Sequence, residues 1–149
     1  MKLKKVILPI FIEVFMIAVV ALMLRYSASA EESNITRLAG EDRYETAIAI
    51  SKQGWASSKY AVLARGDSFP DALCASPLAK RYDAPILLTD PARIQPEVLD
   101  EIIRLHADNV IIIGGEGAVS KDIEETLKSK GLHVDRIWGA DRYETSSEI

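Results

Sequence analysis

From residue 42 onward the chain alternates two kinds of hydrophobic pattern. Residues 60–64, 84–89 and 109–113 are short, nearly continuous apolar runs, and residues 133–137 read as a fourth strand. Runs of this length predict buried strands, since a half-exposed strand would alternate apolar and polar residues. Between them, apolar positions recur at helical spacing. Tyr44, Ala47, Ile48, Ser51 and Trp55 follow Asp42, an N-cap residue, with Glu45 placed to close a capping box. Pro70 suits a first helical position, and a helix rich in small residues follows over 72–81, which Pro77 should bend or break. Pro96 opens a helix with an apolar face of Val98, Leu99, Ile102, Ile103 and Leu105, and with Asp100, Glu101 and Arg104 expected outward. Ser120 is expected to cap a helix reaching Lys130, with Gly131 as its stop and Glu124 and Lys128 as an i,i+4 pair. Strands alternating with helices predict an α/β fold: a small doubly wound parallel sheet of Rossmann-like topology, helices on both faces, joined by right-handed crossovers.

One stretch occurs twice. Arg37-Leu-Ala-Gly-Glu-Asp-Arg-Tyr-Glu-Thr46 returns 99 residues later as Arg136-Ile-Trp-Gly-Ala-Asp-Arg-Tyr-Glu-Thr145, with seven of ten positions identical and no gap. So many polar identities in register mark a tandem-repeat module. Asp141 and Glu144 repeat the helix cap of Asp42 and Glu45. Capping explains those acids but leaves Arg43, Tyr44 and their second copies, Arg142 and Tyr143, without a local reason. The helix begun by the second copy is expected to dock poorly or fray.

The N-terminus has a different character. Lys2, Lys4 and Lys5 precede an apolar run from Val6 to Leu24, broken by Pro9 and Glu13, and Ala28-Ser-Ala30 is a cleavage pattern. These features predict a secretory signal over residues 1–30, removed after Ala30, in preference to an uncleaved membrane anchor. Residues 1–30 carry net charge +3, so the remainder carries −7 against −4 for the whole chain. An acidic domain is a poor partner for nucleic acid. A single Cys excludes an intrachain disulfide, and two His leave little material for a zinc site, so no metal or other cofactor is expected.

Candidate chemistry is sparse. Gly114-Gly-Glu-Gly-Ala-Val-Ser120 lies between a strand and a helix, where α/β proteins cradle phosphates. Its spacing departs from the dinucleotide fingerprint and Glu116 would repel a phosphate, so a tight turn is the better reading. Arg65-Gly-Asp67 reads as a turn, and Cys74 as a buried small residue. Asp67, Asp71, Asp83 and Asp90 read as loop acids or helix caps. Arg43, Tyr44, Arg65, Arg142 and Tyr143 are cations and aromatics near element ends. They suit a ligand bearing carboxylate or phosphate, or else each Arg pairs with a nearby acid and only holds elements together.

Four segments in order resemble the type 2 cell-wall-binding repeat of Gram-positive, especially clostridial, surface proteins. They are residues 38–47, residues 65–73 with Pro77-Leu-Ala79, residues 84–89, and Ile113 with the Gly-rich stretch to Ser120. The resemblance covers about residues 35–149 and, after the signal over 1–30, implies one repeat over 31–138 and the start of a second over 139–149. It implies a non-catalytic module that anchors a secreted protein noncovalently by binding an anionic secondary wall polymer. Arg43, Tyr44 and Arg65 are the expected polymer contacts. Ile86, Leu87 and Leu88, with Gly114 and Gly115, match family motifs and are expected to be structural. Neighbouring repeats, normally three together, are the implied partners, and self-association of one repeat is a further expectation. The competing expectations are a secreted α/β enzyme or nucleotide-binding domain using residues 114–120, and an assembly unit without its own ligand.

Overall fold

The computed structural model describes residues 15–21 and 35–149. Residues 15–21 form a helical segment, α1, belonging to a unit separate from the compact unit Arg37–Ile149. The basic start, the cleavage pattern and the scission point after Ala30 lie outside the described residues. Among the described residues, no helix is long and apolar enough to cross a membrane.

The second unit runs α2 (Arg43–Gly54), β1 (Tyr60–Arg65), α3 (Pro70–Cys74), α4 (Ser76–Tyr82), β2 (Ile86–Thr89), α5 (Pro96–Arg104), β3 (Asn109–Ile113), α6 (Lys121–Ser129), β4 (His133–Ile137) and α7 (Arg142–Glu148). The four strands form one parallel sheet in the order β2-β1-β3-β4, as the apolar runs predict. Leu63 of β1 stands level with Leu87 of β2 and Ile112 of β3. Chain order steps outward from β1 to β2, then reverses to β3 and β4. Crossovers of a single hand must therefore use opposite faces for the two directions. This is observed: α3 and α4 cover one face, and α5 and α6 cover the other together with α2.

The face under α2, α5 and α6 is built from Leu63, Leu87, Val110 and Ile112 against Ile48, Val98, Ile102, Ile123 and Leu127. The opposite face uses smaller side chains, with Ala75, Leu78 and Ala79 set against Val62, Ala64, Ile111 and Ile113. Pro77 does break the small-residue helix, and the break falls at Ala75, between α3 and α4. That cover is thin. Leu87 is fully buried, but Ile86 and Leu88 on the edge strand and Cys74 on α3 are only half-buried, short of the burial expected for them.

Three further details depart from the sequence reading. Glu101 points inward and is 2% exposed. Its carboxylate accepts from Ser51 Oγ (2.5 Å) and from Arg104 Nε and Nη2 (2.8 Å each), and Arg104 also donates to the carbonyls of Trp55 and Ala56. A buried carboxylate is stable only when paired and hydrogen-bonded in this way. Ser120 stands at the N-cap of α6, yet its hydroxyl donates to Ala92 O instead of capping the helix. The helix of the second motif is docked, against the expectation that it would dock poorly. In α7, Thr145 is 3% exposed and Ile149 packs against the small-residue face, because α7 lies along the uncovered flank of α3.

Burial alone would raise the Glu101 pKa, but the hydrogen bonds from Arg104 and Ser51 outweigh it and hold the carboxyl below its ordinary value. A lowered carboxyl pKa gives stability that is present above the unfolded-state value and lost as pH falls through the folded one. Glu101→Gln should therefore lower stability by about 2 kcal/mol near neutral pH. In urea melts the deficit should appear in the midpoint with unchanged slope, and it should shrink as the pH is taken down through the carboxylate range.

Candidate functional site

Where strand order reverses, the carboxyl ends of β1 and β3 diverge and leave a crevice, the usual ligand position in an open α/β sheet. Here the crevice is a cavity of about 300 Å³ lined by Arg65, Asp71, Gly114, Gly115 and the start of α7, including Gly139, Arg142 and Thr145. Both copies of the repeated motif contribute to this end of the sheet. The first holds up the β1 turn, and the second forms one wall of the crevice.

The β1 turn is tied from several sides. Arg65 Nε and Nη2 donate to the two carboxylate oxygens of Asp67, 2.7 Å each. That hydrogen-bonded pairing raises the Arg65 pKa and lowers that of Asp67. Gly66 N donates to Thr89 O (2.8 Å), and Arg43 Nη1 donates to Gly66 O (2.8 Å). The Tyr44 ring lies so close to Gly66 that a Cβ there would collide with it. Arg43 and Tyr44, which capping left unexplained, thus fasten and pack the turn that carries Arg65. Of the three expected polymer contacts, only Arg65 lines the crevice.

The β3 turn is equally constrained. Gly114 has φ +106°, and an added Cβ would meet Ala118 Cβ at 2.7 Å and Asp71 Oδ2 at 2.9 Å. Arg136, the first residue of the second motif, is nearly buried and spans the turn. Its Nη1 donates to the carbonyls of Gly114 and Val119 (2.9 Å each), and its Nε donates to Glu124 (2.9 Å). Hydrogen bonds from Lys128 and then Arg136 hold Glu124 below its ordinary pKa against partial burial. The amides of Ala118 and Val119 donate to Gly115 O, and that of Ser120 to Pro91 O. These donors at the exit of the glycine turn are thus used within the chain, and the Asp71 carboxylate stands beside Gly114, an arrangement unlike a phosphate cradle.

Two charged groups in the crevice remain without such ties. Burial raises the Asp71 pKa against the opposing charges of Arg65 and Arg142. Among the described residues, no hydrogen bond or ion pair engages the Arg142 guanidinium. The other aspartates do not converge with Asp71: Asp67 pairs with Arg65, Asp83 O accepts from Trp55 Nε1, and Asp90 accepts from Ala92 N. Among the described residues there is no group of three side chains suited to a metal ion. Sequence reading missed the fastening role of Arg136, although its identity in both motif copies was a usable signal.

The cap itself is made inside each motif. Asp42 Oδ1 accepts from the amides of Tyr44 and Glu45, Glu45 accepts from Glu41 N, and Thr46 Oγ1 accepts from Gly40 N. The box therefore closes one residue upstream of the cap. Asp141, Glu144 and Thr145 make the same set with Tyr143, Ala140 and Gly139.

Comparison with known proteins follows the same ground. Residues 37–124 match the family model described as Cell wall binding domain 2 (CWB2). N-acetylmuramoyl-L-alanine amidase LytC of Bacillus subtilis (strain 168) is 34% identical over 93% of this chain and 28% of its own length. The amidase enhancer of the same organism is 40% identical over 83% of this chain and 18% of its own length. Among solved structures, Cwp8 from Clostridium difficile superposes with TM-score 0.74 at 33% identity, covering 89% of this chain and 24% of that one. Cwp6 from the same organism superposes with TM-score 0.69 at 40% identity, covering 79% and 20%. The chain thus spans less than a third of each of these relatives.

The contact between Tyr44 and Gly66 predicts a coupled pair. Gly66→Ala should destabilise the unit by about 1–3 kcal/mol by displacing the ring. In a Tyr44→Ala background the same change should cost markedly less, and a double-mutant cycle of denaturant midpoints reads the coupling.

Proposed function

The chain belongs to the cell wall binding domain 2 family, and from that membership we propose that it anchors a secreted protein noncovalently to a Gram-positive cell wall by binding an anionic secondary wall polymer. The family carries the coarser part of this reading: a wall-binding module at the cell surface. In the proposal, residues 1–30 are a signal peptide cleaved after Ala30, residues 31–138 are one repeat, and residues 139–149 start a second. Neighbouring repeats are partners, and any catalytic activity lies in another part of the protein.

The observation that carries the polymer reading is the crevice with Arg142 unengaged and Arg65 beside it. The −7 charge of residues 31–149 opposes an anion at long range, so attraction must be local. Arg142 supplies it, because a guanidinium can take a phosphate or carboxylate in two parallel hydrogen bonds. Arg65 adds positive potential while its own fork stays on Asp67. Arg43 and Tyr44 then act by keeping the Arg65 turn in place. Arg142 comes from the second motif copy, so the site is completed at the junction of the two copies.

The test is sedimentation of residues 31–149 with purified walls before and after removal of the secondary polymer. Binding should fall strongly on stripping; equal binding to bare peptidoglycan would sink the proposal. Arg142→Ala should weaken polymer binding roughly tenfold or more while leaving the thermal melt intact. Saturable nucleotide binding, abolished by Gly115→Val, would favour the competing nucleotide-binding reading.

The pH dependence follows from Asp71. Its pKa is raised, so on acidification this carboxyl protonates before an ordinary aspartate would, and a negative charge leaves the crevice. Polymer binding should therefore strengthen as pH falls through that range. Asp71→Asn should bind more tightly at neutral pH and lose this part of the pH dependence, measured by the same wall sedimentation at a series of pH values.

A further inference from the structure

Arg136 fastens the β3 turn with two of its guanidinium nitrogens, and the third is left over. Nε and Nη1 donate to Glu124, Gly114 O and Val119 O. Nη2 is buried without a hydrogen-bond partner, and among the described residues no other buried side-chain polar atom is left so. The Arg136 side chain is only 10% exposed, so solvent does not supply a partner. A buried donor without a partner carries its full desolvation cost and calls for an explanation.

The same side chain lines a pocket of about 330 Å³ with Gly115, Glu116 and Trp138, at the carboxyl end of the edge strand β4. Gly115 also borders the crevice, but Arg65, Asp71 and Arg142 do not reach this second pocket. Trp138 is 58% exposed and packs in neither hydrophobic core. Its Cε3 lies 3.9 Å from the place a Cβ on Gly115 would take, so the indole borders the glycine turn. The repeated motif does not require it, since the corresponding residue of the first copy is Ala39. Neither packing nor the repeat accounts for this large exposed aromatic, which leaves contact with a ligand as its use.

The lining sets the chemistry of that ligand. Glu116 would repel an anion, and the Arg136 charge is already met by Glu124. An aromatic wall with one carboxylate acceptor and one guanidinium donor suits a ring that has an apolar face and hydroxyls at its edge. The volume, at the lower end for small-ligand sites, suits a single ring. The geometry points to this pocket as a binding subsite for a neutral pyranose ring of a glycan. The C–H face of the sugar lies on the Trp138 indole, one hydroxyl donates to Glu116, and the oxygen of another accepts from Arg136 Nη2. Because Nη2 is covered, the exposed indole shifts to admit that oxygen. The subsite is uncharged in its ligand and does not depend on the anionic polymer.

The experiment uses residues 31–149, which contain the compact unit Arg37–Ile149. The probes are methyl glucoside and the trimer of N-acetylglucosamine. Titration should give a saturable change in tryptophan fluorescence with a millimolar dissociation constant. A response to the glucoside alone assigns the subsite to neutral hexoses, and one to the trimer alone assigns it to the glycan strand of peptidoglycan. Saturation-transfer NMR on the sugar then gives the affinity of variants, including one without the indole. Trp138→Ala should weaken binding at least tenfold and Glu116→Ala roughly tenfold, both with unchanged thermal melts. The inference is overturned if neither sugar gives a saturable change, or if Trp138→Ala leaves the affinity as it was. Both probes are uncharged, so either result leaves the polymer reading standing.

Discussion

A parallel sheet whose central strands are apolar on both faces must be covered on both, and the rest of this structure answers to that requirement. β1 and β3 supply the demand: residues 61–64 and the run from Val110 to Ile113 are almost wholly excluded from water. One face receives three helices with large aliphatic side chains. The other receives two short helices split at Ala75 and a row of alanines, which allow close approach but leave a flank open. The second motif copy fills that flank. The sequence repeat and the uneven cover of the sheet are therefore parts of one arrangement.

The arginines of this acidic domain are mostly committed to holding its own backbone. Arg43 is spent on Gly66 O, Arg65 on Asp67, Arg104 on Glu101 and Arg136 on the β3 turn. Each fixes a turn or helix end at a defined position, since a planar donor fork constrains orientation as well as distance. Arg142 is differently placed: it sits at the crevice with Asp71 nearby and no partner among the described residues. For Arg43, Arg65, Arg104 and Arg136 the structure supplies the partner that the sequence left open.

The strands, the parallel arrangement, the two-sided cover and the break caused by Pro77 were legible because each follows from local pattern. Glu101 was not. Its place between Asp100 and Arg104 suggests a solvated face, and only the approach of Ser51 from α2 turns it inward. Ser120 was misjudged for a related reason: the nearby Ala92 carbonyl, presented by the loop after β2, draws its hydroxyl away from the helix amides. The roles of Arg43 and Tyr44 likewise depend on a turn more than twenty residues away. The crevice itself could be placed by the reversal of strand order, but its wall from α7 could not, because nothing local says on which face a lone helix will settle.

The motif's cap has a consequence for the order of events during synthesis. Its hydrogen bonds run from Gly40 to Thr46 and from Gly139 to Thr145, so each helix start is tied within a few consecutive residues. A nucleus of such short range does not wait for a sheet to form, and the costly first turn of the helix is defrayed locally. The second helix can therefore take up its capped start from its own few residues before it reaches the open flank beside α3.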